Sequence, residues 1–140
     1  MNLRTTESTM EQMLGIHKTD DVNELLHRGP CTMMFQPILE LSSEKPHGFE
    51  ALLRGANGTS VSHPESFFNE AGRLDEEMLL RLDISCIGSA LRAGRELAQE
   101  HRLFINVHGV SLSHLSLNVE AFLSLLGELG IDPGHIVFEI

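Results

Sequence analysis

GFEALLRG, Gly48 to Gly55, is the stretch on which the reading of the fold turns. Its length and apolar content predict a short strand, yet it carries Glu50 and Arg54. Successive side chains of a strand point to opposite faces. Gly48, Glu50, Leu52 and Arg54 therefore share one face, and Phe49, Ala51 and Leu53 share the other. A carboxylate and a guanidinium lie together on one side of an otherwise apolar element.

Just before it, CTMMFQPILEL (31–41) reads as a strand, and the turn-like SSEKPHG brings the two runs close enough to pair as a hairpin. Further upstream, residues 1–19 are polar and read as a tail or linker. Asp20 and Asp21 then open a short helical pattern that Gly29-Pro30 stops. Downstream, Ser62 and Glu65 have capping-box spacing with Pro64 in the first turn, which predicts a helix over about 64–71. A longer helix is expected from about Asp75 to Glu100, with Leu80, Ile84, Ile87, Leu91 and Ala98 at helical spacing. RLFINV is the next strand. Asn118 is read as the cap of a helix over about 119–129, with Val119, Phe122, Leu123 and Leu126 on one face and Gly130 as its stop. IDPG turns the chain into a last strand, HIVFEI. Strands alternating with helices predict an α/β architecture with a mostly parallel sheet.

The 140 residues are enough for one domain with a core and too few for two of ordinary size. An apolar fraction of 41% against 21% charged residues is globular rather than disordered. Apolar runs are too short for a transmembrane helix. The N-terminus lacks the apolar core of a signal peptide. Cys31 and Cys86 lie far apart without metal or redox spacing, as expected of small packed residues in a reducing compartment, so a cytoplasmic location is expected. The net charge of −10, with basic residues scattered singly, argues against a polynucleotide partner. A small phosphate ligand, gripped by one arginine and a divalent ion, remains compatible with that charge.

Three of the expected strands carry one polar residue near the C-terminal end: Glu50, Asn106 and Glu139. Buried parallel strands are normally apolar throughout, and a buried carboxylate is costly unless paired or bound to a cation. In an α/β barrel the C-terminal strand ends converge on the active site. Two carboxylates and an amide oxygen there would suit Mg²⁺ or Mn²⁺. Arg54, on the face of Glu50, could hold a phosphate oxygen. The pattern alone leaves a structural alternative open, in which Glu50 pairs with Arg54 and Asn106 satisfies a strand end.

FQPILEL, GFEALLRG, LFINV and HIVFEI, in this order and at these separations, resemble the motifs of the EAL domain family. The family comprises phosphodiesterases of cyclic-di-GMP and takes its name from the tripeptide found here as Glu50-Ala51-Leu52. HPESFFNEAGRLDEE also looks like the family's helix after the second strand, and the resemblance covers about residues 20–140. It implies a TIM-barrel-like fold. It also implies Glu50, Asn106 and Glu139 as ligands of Mg²⁺ or Mn²⁺, Gln36 and Arg54 as contacts to cyclic-di-GMP, and Leu52 as lining for its cleft. The implied chemistry is metal-assisted hydrolysis of cyclic-di-GMP to linear pGpG.

The family pattern continues past the strand of Glu139 into paired aspartates and a lysine. In these 140 residues the only lysines are Lys18 and Lys45, and the only adjacent aspartates are Asp20-Asp21. A TIM barrel has eight strands in roughly 250 residues, and the sequence predicts four. The expectation is therefore the N-terminal half of an EAL domain, over residues 20–140, cut after the fourth strand. Such a half is expected to be inactive alone and prone to homo-oligomerise through exposed barrel edges. The alternative is a non-catalytic module that senses cyclic-di-GMP or binds protein. His108 stands where many family members have serine and is read as a loop residue; the other seven histidines are read as surface or packing residues.

Overall fold

The structure is a computed structural model that describes residues 32–54 and 76–140. The helices expected over 20–29 and 64–71, and Cys31, lie outside the described residues. Strands β1 (Met33–Leu39) and β2 (Pro46–Leu53) are followed by helix α1 (Glu76–Ala93), β3 (Arg102–Asn106), α2 (Gly109–Leu117), α3 (Val119–Leu129) and β4 (Ile136–Glu139). Short 3₁₀ turns at Leu97–Gln99 and Pro133–His135 lead into β3 and β4.

The four strands form one sheet in the order β1-β2-β3-β4. β1 pairs with β2 antiparallel, as the short turn between them dictates, while β2–β3 and β3–β4 are parallel. A consecutive, mostly parallel sheet with helical crossovers is the opening part of a TIM-barrel-like arrangement. Each strand is a residue or two shorter or shifted relative to its sequence reading. Arg54 falls just beyond β2, where its backbone N–H donates to the Thr32 carbonyl at 2.8 Å.

The two faces of the sheet differ as strand alternation requires. One face carries Ala51, Leu103 and Ile105, all buried, and packs under α1 and α3. Ile87, Leu91, Leu125 and Leu126 are almost wholly excluded from solvent there. Burial of each such side chain is worth about 1.5–3 kcal/mol, so this layer supplies the main driving force for folding. The opposite face carries Gly48, Glu50, Leu52, Phe104 and Asn106, and its larger side chains are only partly covered.

Three expectations are corrected. The long helix ends at Ala93 rather than near Glu100. A Cβ at Gly94 would lie 2.9 Å from the Ala90 carbonyl and 3.0 Å from both Leu103 and Phe35, so the chain passes flat against the sheet there. Asn118 does not cap α3 through its side chain, which instead donates to the His114 carbonyl at 2.9 Å. The buried face of α3 is also rotated: Phe122, Leu125, Leu126 and Leu129 are inside, while Val119 and Leu123 are exposed. Gly130 does end α3, with the positive φ of 68° that a left-handed C-cap requires.

Helix α2 is absent from the sequence reading. Its sequence, GVSLSHLSL, interleaves serines and a histidine with apolar residues almost one for one, so polar and apolar side chains scatter around the helix and the 3.6-residue pattern that marks a surface helix is missing. The helix is held at its end by Leu115, which joins the core. α2 and α3 meet at about 90°, and among the described residues no single helix is long and apolar enough to cross a membrane.

Candidate functional site

Three adjacent strands end on the same side of the sheet, and their last polar residues come together. Asn106 is the register partner of Glu139, and Glu50 lies one strand over, paired with Phe104. The Asn106 side-chain N–H donates to Glu50 Oε1 at 3.0 Å. Glu50 and Glu139 are half-buried and Asn106 is exposed, so the cluster sits on the open face and not in the core. The strand parity read from GFEALLRG therefore holds, but the desolvation cost inferred for a buried Glu50 does not apply in full.

The strand ends, together with one wall of α1, enclose a cleft of about 430 Å³. Glu50, Leu52, Arg54, Asn106 and Glu139 all line it. Arg54 and Glu50 meet different partners: the Arg54 guanidinium donates to the Leu53 carbonyl at 3.1 Å, while Glu50 takes its bond from Asn106. The structural alternative of a Glu50–Arg54 pair is thus not the one adopted, and the guanidinium remains beside the cleft. Gln36 lies opposite Glu50 in the β1–β2 register, on the same face and exposed, but does not line the cleft.

The donor set is of the kind a hard divalent cation takes: carboxylate and amide oxygens with no thiolate or imidazole between them. Among the described residues no three His, Cys, Asp or Glu side chains converge on a common point. Glu50 and Glu139 would therefore hold an ion with the Asn106 amide oxygen as their third protein donor. The amide nitrogen now turned to Glu50 leaves that oxygen unengaged by the carboxylate.

The sequence reading missed Asp83. This residue of α1 is buried, lines the cleft, and accepts two hydrogen bonds from His108: from the backbone N–H at 2.8 Å and from ring Nδ1 at 2.9 Å. The signal was present in the periodicity. Asp83 lies three residues after Leu80 and four before Ile87, on the apolar stripe of α1, where a carboxylate needs a partner. His108 lies in the β3–α2 loop as read, at the N-cap position of α2, and is tied there to α1. Among the other histidines, His135 Nδ1 donates to the Ala98 carbonyl at 2.8 Å and the His101 ring packs edge-on against Phe49, as structural residues do. Cys86, half-buried in α1, also lines the cleft and forms no disulfide.

These motifs and this fold have counterparts. The sequence model of the EAL domain matches residues 19–140, and the chain belongs to that family. Among solved structures, it is similar to Klebsiella pneumoniae BlrP1 with FMN and cyclic diGMP, in a form without metal ions, at 26% identity and a TM-score of 0.61. That alignment covers 79% of this chain and 28% of that one. A manganese and cyclic diGMP complex of the same Klebsiella pneumoniae protein aligns at 25% identity with a TM-score of 0.60, over 78% of this chain and 26% of that one. The 140 residues thus correspond to little more than a quarter of the solved chain. No curated protein matches by sequence.

Proposed function

We propose that residues 20–140 supply the first part of the catalytic cleft of a metal-dependent cyclic-di-GMP phosphodiesterase. The observation that carries this reading is the convergence of Glu50, Asn106 and Glu139 at the ends of three adjacent strands, with Arg54 in the same cleft. Membership of the EAL family and the likeness to a protein solved with cyclic diGMP and manganese support it.

In this reading Glu50, Asn106 and Glu139 hold Mg²⁺ or Mn²⁺. The ion, when bound, acidifies water and neutralises charge on the phosphodiester. The chain's own residues do the rest of the positioning. The Arg54 guanidinium offers planar, permanently charged donors to a phosphate oxygen. Leu52 presents an apolar wall that excludes water beside the reacting group, and Gln36, on the same face of the neighbouring strand but outside the cleft lining, would meet only a ligand that extends past the cleft. The hydrolysis to pGpG requires groups beyond these, so the 140 residues alone bind without turning over.

A second reading, a module that senses cyclic-di-GMP or contacts protein without hydrolysis, is favoured by the sparse carboxylate set among the described residues. Titration of the chain with cyclic-di-GMP in the presence of Mn²⁺, followed by chromatography of the nucleotide, separates the readings. Metal-dependent binding that the Glu50→Gln change abolishes supports the first. Equal binding with and without metal supports the second. Turnover to pGpG by the 140 residues would overturn this division of roles.

A further inference from the structure

We propose that His108 is a ligand-contacting residue of the cleft, with Asp83 holding its imidazole so that the Nε2 edge is turned to the ligand. The inference rests on the cleft being the site of cyclic-di-GMP binding. Asp83 is buried on α1, and both its oxygens engage residue 108. A carboxylate oxygen accepts, so Nδ1 carries a proton toward Asp83; the neutral ring then keeps its lone pair on Nε2, whereas an imidazolium would donate there. The His108 side chain is 41% exposed while that of Asp83 is 9% exposed, so the edge of the ring away from Asp83 is the open one. Both residues line the cleft that holds Glu50, Asn106 and Arg54.

A loop histidine free to rotate would contribute little, because ordering its ring on binding costs entropy. Here that cost is met in folding: the backbone N–H and Nδ1 are both pinned to one buried carboxylate, which leaves a single ring orientation. For the neutral ring the partner is a donor. A cyclic dinucleotide carries two kinds, the ribose 2′-hydroxyl and the guanine N–H groups. The pair thus adds a neutral, directional contact beside the charged grip of Arg54, and it bears on which nucleotide is accepted rather than on how strongly phosphate is held.

Two substitutions divide the ring into its halves. His108→Asn keeps a donor near the position of Nδ1, for Asp83, and removes Nε2. His108→Gln places an acceptor near the position of Nε2. Calorimetric titration of the 140-residue chain with cyclic-di-GMP is expected to show about three- to ten-fold weaker binding for His108→Asn, the worth of one neutral hydrogen bond, with Gln recovering most of it. In ¹⁵N spectra the wild-type ring shows the Nδ1–H tautomer, and its Nε2 resonance shifts when cyclic-di-GMP is added. The 2′-deoxy analogue assigns the donor: His108 dependence lost with it marks the ribose hydroxyl, and dependence retained marks the base. Wild-type binding with an unmoved Nε2 resonance, or equal affinity in His108→Asn, overturns the proposal and leaves the cleft assignment standing. No binding by the wild-type chain overturns both.

Discussion

Asn106 donates a hydrogen bond to Glu50 across 3.0 Å, joining residues 56 positions apart in the sequence through two parallel neighbouring strands. The bond holds the Glu50 carboxylate against the end of β3 and toward the strand of Glu139. Removing either partner should therefore disturb a cation site more than it disturbs the fold, since neither side chain belongs to the core. Glu50→Gln and Asn106→Ala are expected to weaken Mn²⁺ binding at least about ten-fold, the loss seen when even an outer partner of a metal site is removed. Electron paramagnetic resonance of free Mn²⁺ measures this directly. Unchanged Mn²⁺ affinity in both variants would remove the metal assignment.

Arg54 leaves β2 with its backbone tied to Thr32 and its guanidinium on the Leu53 carbonyl, beside the cleft. A charge-assisted contact to phosphate is worth about 1.5–3 kcal/mol, so Arg54→Ala should weaken cyclic-di-GMP binding by about ten-fold or more. Arg54→Lys is expected to recover only part of the loss, because an ammonium cannot reproduce the planar fork. A Lys variant with full wild-type affinity in calorimetry would show that Arg54 acts as a charge alone.

Gly48 shows how the fold sets the site. A Cβ built there would lie 2.6 Å from the Arg102 carbonyl and 2.6 Å from the Phe104 ring. The carbonyl is backbone and cannot swing aside, so Gly48→Ala must push β2 away from β3. Overpacking of this kind costs about 1–3 kcal/mol. The displaced segment carries Glu50 two residues on, so the variant should lose Mn²⁺ affinity as well as stability. Urea denaturation and the Mn²⁺ titration together check this, and a destabilised variant with intact Mn²⁺ binding would separate strand spacing from the site.

Much of this was legible in the sequence, for identifiable reasons. Strand alternation placed Glu50 and Leu52 on one face and the core residue Ala51 on the other, because a two-residue period admits no intermediate answer; Arg54, just beyond the strand end, still lines the same cleft. The ordered motifs placed Asn106 and Glu139 beside them. Two things escaped. Helix α2 alternates polar and apolar residues at a period that fits no helix face, and the rotation of α3 depends on which of its apolar residues meets Phe138, whose ring stands 5.7 Å from that of Phe122. The Asp83–His108 tie spans 25 residues and two elements, so no local pattern encodes the partner; only the misplaced carboxylate on the apolar stripe of α1 was visible.

Among the described residues β1 and β4 are the edges of the sheet, and β1 offers Met34 and Leu39 half exposed or more beside its unpaired backbone. Exposed edges with apolar side chains template pairing with another strand. The 140-residue chain is therefore expected to associate in a concentration-dependent way, with a charged residue at the β1 edge opposing it. Met34→Lys should shift the chain toward monomer in sedimentation velocity, at little cost to stability because Met34 is outside the core. Wild-type chain that stays monomeric at the highest concentrations reached would show that these edges are protected by residues outside those described.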